Sequence, residues 1–188
     1  MNIFYLHSSP QICAEYHNDK HVVKMIIEYA QLMSTAHRVL DGDPYYALTA
    51  NGRKIKRWRL PEDREHELMK ASHINHPSAV WTRASDLNYL WLYKLWKHLL
   101  AEYTYRYEKV HSCARLETIL SRTPNDISIG FFTEPTPAMP DDVKVYDEVA
   151  SDRFEIDSLA SYRNYYRKNK THLAKWKKRP VPNWYMTI

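Results

Sequence analysis

From residue 12 onward, apolar positions in the first third of the chain recur at spacings of three and four. At 100° per residue Val23, Ile26, Ile27, Ala30 and Met33 fall on one stripe, with Asp19 and His37 at its ends. The pattern predicts a first helix over about residues 12–40, stopped by the turn sequence DGDP at 41–44. A neighbouring arc carries His17, Lys20, Lys24, Glu28, Gln31, Thr35 and Arg38 as a continuous polar row. A solvated helix face needs little beyond Lys and Glu. A row that also holds His, Gln, Thr and a single carboxylate suits an anionic substrate held against a general acid or base.

A second long helix is predicted from Pro77 to about Glu108, with Trp81, Ala84, Trp91, Leu92, Leu95 and Leu99 on its apolar face. Asn88, Glu102 and Arg106 interrupt that stripe. Glu102 precedes Arg106 by four residues, the favourable order for a helical ion pair. Such a pair is either satisfied inside the core or shared with a cleft between helices. Between the two helices lie a basic linker, 51–60, and a short charged helix over 61–70 with Pro61 at its first position. After them come a short helix near 112–121, a Pro-rich loop over 122–142, a last helix over about 156–177 and an aromatic tail. DISIGFF, 126–132, could be a short extended segment. Three glycines leave few hairpin turns. The expected fold is all-α, one domain over 1–188 with helices crossing around one core.

Net charge changes the picture more than length does. The formal charge of +5 is segregated: residues 158–188 hold eight Lys and Arg and no acid, and RKIKRWR at 53–59 holds five cations in seven residues. Trp and Tyr number 21 against four Phe. Cationic runs interleaved with such rings suit a phosphate backbone with stacking platforms nearby. The expected partner is therefore nucleic acid. Cys13 and Cys113 have neither metal nor disulfide spacing, which fits a reducing cytoplasm. The opening residues lack a basic segment followed by an apolar run, and no stretch approaches about 18 apolar residues, so no membrane partner is expected. His17 and His21 have a chelating spacing, but without HExxH or a cysteine pair no metal is assigned. No Gly-rich phosphate loop is present, and no cofactor is expected.

Three stretches together resemble the phage pyrimidine-dimer DNA glycosylase/AP-lyase family of the endonuclease V type. They are AEYHNDKHVV (14–23), LYKLWKHLLAEYTYRYEKVH (92–111), and HLAKWKKRP followed by NWY (172–185). The resemblance implies a terminal α-amine that attacks C1′ of a pyrimidine nucleotide, a carboxylate that stabilises the sugar cation, and arginines that hold phosphates. The position matching the family's glutamate is Asn18, with Asp19 adjacent, and its arginines become His17 and His21. Asn2 is too bulky to favour removal of Met1, so the amine would be that of Met1. The chain also resembles small phage DNA-modification proteins, which implies the cytoplasm of an infected bacterium.

Asp19, Lys20, Lys24 and Glu28 are the candidate catalytic residues. Candidate contacts to DNA, as a pyrimidine-containing duplex or an extruded base, are His17, His21, Arg38, His76, Arg83, Arg106, Lys109, Arg163, Lys175, Lys177, Lys178, Arg179 and Trp184. Three functions remain open at this point. They are a glycosylase/lyase, a base-hypermodifying transferase that resembles the phage thymine pyrophosphorylases, and a non-catalytic DNA-binding or anti-defence protein.

Overall fold

The computed structural model describes residues 1–61, 63–150 and 153–186. It corrects the all-α expectation: the fold is mixed α/β, 51% helix and 12% strand, with two separate antiparallel two-stranded sheets. The helices are α1 (Pro10–Tyr16), α2 (Asp19–Asp41), α3 (Arg64–Glu67), α4 (Pro77–Thr82), α5 (Asp86–Tyr107), α6 (Glu117–Leu120), α7 (Ser158–Asn169) and α8 (Asn183–Met186). Strands β1 (Asp43–Leu48) and β2 (Lys54–Arg59) follow α2, and β3 (Val145–Ala150) and β4 (Arg153–Asp157) precede α7. Among the described residues no helix is long and apolar enough to cross a membrane.

Both predicted long helices are broken, and caps explain where. His17 leaves helical geometry at ψ 131°, and the Asn18 side chain accepts the His21 N–H at 2.9 Å, so α2 starts afresh at Asp19. The second helix splits at Arg83–Ser85, where the Ser85 hydroxyl accepts the Asn88 N–H and opens α5. The last helix is shorter than 156–177. It begins at Ser158 behind the Asp157 cap and ends at Asn169. DISIGFF forms no strand; Ser128 and Phe131 offer carbonyls to Asp86 N–H and the Ser85 hydroxyl at the start of α5.

α2 packs against α5, and α1 packs against α5 as well. The buried face of α2 is Val22, Met25, Ile26, Tyr29, Leu32, Met33 and Ala36, rotated from the predicted stripe so that Val23 and Ile27 face solvent. Fully buried Trp96 of α5 donates its indole N–H to the Ile26 carbonyl at 2.9 Å, tying the crossing together. The amino-terminal run Ile3–Leu6 is buried too, and the Tyr29 hydroxyl accepts the Phe4 N–H at 3.0 Å. Upstream of that bond the Met1 amine lies 3.6 Å from the Glu28 carboxylate on α2.

The first sheet occupies the predicted basic linker. Asn51-Gly52 turns the chain, with Gly52 at φ 74°, and Tyr46 pairs with Lys56 across the strands. Gly42 lets α2 enter this hairpin, because a β-carbon there would meet the Arg38 carbonyl at 2.5 Å. Most positions on both strands are exposed, so little apolar alternation marks them in the sequence.

Candidate active site

Much of the polar row on α2 and its neighbours is scaffold. Arg38 is buried, and its guanidinium donates to Met69 O, Trp58 O, Glu65 O, Leu68 O and the Glu65 carboxylate at 2.6–2.9 Å. All five N–H donors are committed, which leaves none for a phosphate. Arg106 is equally buried and donates to the Glu102 and Asp19 carboxylates and to the His17 and Glu15 carbonyls. Asp19 also accepts the Lys177 N–H at 2.9 Å, so it ties α5 to the carboxy-terminal segment. Burial raises the Glu102 carboxyl, but hydrogen bonds from Arg179 and Arg106 outweigh it and hold the group below the usual carboxylate range.

His17 and His21 lie inside an aromatic cluster rather than on a surface. His17 bonds the Cys13 carbonyl and the Tyr29 hydroxyl, and His21 stacks on Phe4 at 4.1 Å and bonds the Tyr166 hydroxyl. Burial lowers His17 to about 4 and His21 to about 2, with nearby cations adding to the shift at His21. Both are neutral at physiological pH. Among the described residues no group of three His, Cys, Asp or Glu is placed to hold a metal ion.

The basic tail folds back onto the body. Arg179 pairs with Glu102 at 2.9 Å and Glu15 at 3.6 Å, and Lys178 pairs with Glu108 at 2.6 Å. Arg163 donates to Leu6 O, its guanidinium over half-buried Trp184, which packs against Tyr16 and Tyr166. Lys109, Lys175 and Lys177 remain exposed, the last over the Tyr107 ring. Arg83 is half-buried and donates to Ile74 O at 2.7 Å.

What remains of the row converges on a different place. Glu28, with its side chain 19% exposed, lies 3.2 Å from Lys24 Nζ and 3.6 Å from the Met1 amine. Lys20 is exposed on the same helix and joins neither pair. One turn further on, Gln31 lines a cleft of about 830 Å³ walled by Lys56, Arg57 and Trp58 of β2 and by residues 70–76. Gln31 donates to Lys70 O at 2.6 Å, and Thr35 both accepts the Ser72 N–H and donates to Ser72 O, so these two side chains anchor the cleft wall. His76 caps α4, its Nδ1 accepting the Ser78 N–H. Burial, then the charges of the Met1 amine and His73, lower His76 below the ordinary imidazole range, against an opposing pull from Glu28. Glu28 and the Met1 amine are thus within electrostatic reach of His76, and Glu28 lies one turn of α2 before Gln31, which lines the cleft together with His73 and His76.

Of the β2 cations, Lys56 and Arg57 line the cleft. Lys54, Lys56 and Arg59 are exposed on β2, lying over the rings of Tyr46, Trp58 and Tyr45 respectively. The sequence singled out Asp19, Lys20, Lys24 and Glu28 as catalytic and His76 as a DNA contact, and left out His73 and the hairpin. Asn51-Gly52 followed by KIKRWR was the available signal for the hairpin. No local signal brings the Met1 amine to Glu28. The chain matches no family model, no curated protein and no solved structure.

Proposed function

We propose that this chain is a DNA-binding enzyme of the glycosylase/AP-lyase type, acting on a pyrimidine nucleotide through an amine held beside Glu28. The observation that carries the reading is the convergence of the Met1 and Lys24 amines on one carboxylate, one helical turn before Gln31 in the wall of a cleft that Lys56 and Arg57 also line. α-Amines as a class are less basic than lysine side chains, so the Met1 amine is the better nucleophile. Its nitrogen attacks C1′ and passes a proton to Glu28; the glycosidic bond breaks, and the base leaves with the electron pair and is protonated. Glu28 returns that proton to O4′ as the C1′–O4′ bond breaks, and the opened sugar carries a protonated imine at C1′. Loss of the C2′ proton then forms the C2′=C3′ double bond and expels the 3′-phosphate. The exposed cations of β2 hold flanking phosphates, His76 donates through Nε2–H, and Tyr45 and Tyr46 offer rings to unstacked bases.

The reading needs an unblocked Met1 in the mature chain, which intact-mass measurement reads directly. A transferase that grips pyrophosphate with Lys20, Lys24 and Arg38 is disfavoured, because Arg38 has no donor to spare. The test is cleavage of a duplex carrying one abasic site, at sub-saturating and saturating protein. Cleavage is expected from the wild type and not from Glu28→Gln. Tight binding with no cleavage in the wild type would assign the non-catalytic role instead.

A further inference from the structure

Residues 70–76 form neither helix nor strand, yet side chains from three elements hold their backbone. Gln31 and Thr35 reach from α2 to Lys70 and Ser72, Arg57 reaches from β2 to Ala71 O, and Arg83, just past α4, reaches Ile74 O. Inside this frame His73 sits at φ 48°, in the left-handed region that few residues with a β-carbon adopt and that costs more than the right-handed one. Three non-glycine residues among those described have positive φ, and of these His73 alone lines the cleft. Such strain persists where neighbours over-determine the backbone, and it gathers at sites of function. The left-handed turn presents an exposed imidazole, with Nδ1 2.6 Å from the Ser72 hydroxyl, on the cleft that His76 and Gln31 also line, and Gln31 lies one turn of α2 after Glu28, which holds the Met1 amine.

We propose that His73 is the base that takes the C2′ proton in the elimination step, an inference that rests on the amine–lyase reading above. In the tautomer this role requires, Nδ1–H donates to Ser72 Oγ and Nε2 keeps its lone pair for the substrate. Nε2 removes the C2′ proton of the imine. The C–H electron pair becomes the C2′=C3′ double bond, and the C3′–O bond breaks with its electrons on the departing phosphate. The imidazolium then returns its proton to solvent. Ser72 is a positioning residue, and Thr35 positions Ser72.

Imine formation precedes elimination, so the two can be read apart on one substrate, a duplex with a single abasic site. His73→Gln should trap with borohydride within about twofold of the wild type, while strand cleavage in a single turnover slows by about 10²–10⁴-fold, the range for loss of a general base. His73→Gly controls for folding. Relief of the positive φ should raise the melting temperature by about 2–4 °C, with the same loss of cleavage. A histidine with only a structural role predicts the rise in melting temperature with cleavage intact. If His73→Gln traps and cleaves like the wild type, this inference falls and the lyase reading stands. Equal loss of trapping and cleavage also overturns it, because His73 would then act before elimination. If the wild type itself neither traps nor cleaves, the lyase reading falls and takes this inference with it.

Discussion

Arg106→Met tests whether the most buried guanidinium is scaffold or a phosphate contact. Wild-type Arg106 makes two charged hydrogen bonds, to Glu102 at 2.7 Å and Asp19 at 2.9 Å, and two to the His17 and Glu15 carbonyls. A hydrogen bond to a charged group contributes about 1.5–3 kcal/mol net, and a stranded buried carbonyl costs about 1–3 kcal/mol. The sum overstates the loss. Glu102 keeps Arg179 at 2.9 Å, and Asp19, 22% exposed, regains water and keeps the Lys177 N–H. Breaking a buried ion pair from one side costs about 3–5 kcal/mol, and that is the expected destabilisation. In a chain of this size it lowers the melting temperature by about 6–20 °C. Urea unfolding of both proteins with equal m-values is the assay. A change below about 1 kcal/mol together with a large loss of DNA affinity would refute the scaffold role.

Neutralising Lys54, Lys56 and Arg59 to Gln should flatten the salt dependence of DNA binding by about one unit per lost phosphate contact, and leave stability within about 0.5 kcal/mol. Lys178→Gln with Arg179→Gln should instead destabilise the fold with little change in salt slope, because their partners are Glu108, Glu15 and Glu102; the opposite outcome would move the DNA contact to the tail. Burial lowers His17 and His37 to about 4 and His21 to about 2, so the unfolded chain binds protons first as pH falls. Stability should therefore be flat above about pH 6.5 and fall below it, by up to about 4 kcal/mol per pH unit for three protons. Constant stability between pH 7 and 5 would contradict the buried neutral histidines. Lys24→Met should change stability by less than about 1 kcal/mol, since the side chain is 68% exposed, while it lowers abasic-site cleavage if Lys24 assists at Glu28.

Periodicity found the helical mass, because α2 and α5 each bury a stripe against the other. It misplaced the α2 stripe by including Val23 and Ile27, whose exposure depends on which neighbours cover the helix. The hairpins were missed for a different reason. Most positions on the first hairpin's strands are exposed, so burial imposes little alternation on them, and only the Asn51-Gly52 turn and the KIKRWR run carried the signal for that hairpin. The polar row read as one site was two things in space. Arg38 and Thr35 brace loops from within, whereas Lys24 and Glu28 face outward, and a helical wheel cannot see what packs over each turn. The tail's net charge was legible, but its ion pairs with Glu15, Glu102 and Glu108 depend on tertiary contacts more than 65 residues distant in sequence.

The central claim is that an amine beside Glu28 forms an imine with the sugar. Wild-type protein incubated with an abasic-site duplex and sodium borohydride, then digested and mapped by mass spectrometry, measures it most directly. The account predicts a reduced covalent adduct on the peptide that begins at Met1, strongly diminished in Glu28→Gln. An adduct confined to Lys24 would keep the carboxylate and replace the nucleophile. No adduct on either amine, from a protein shown to bind the duplex, would contradict the account.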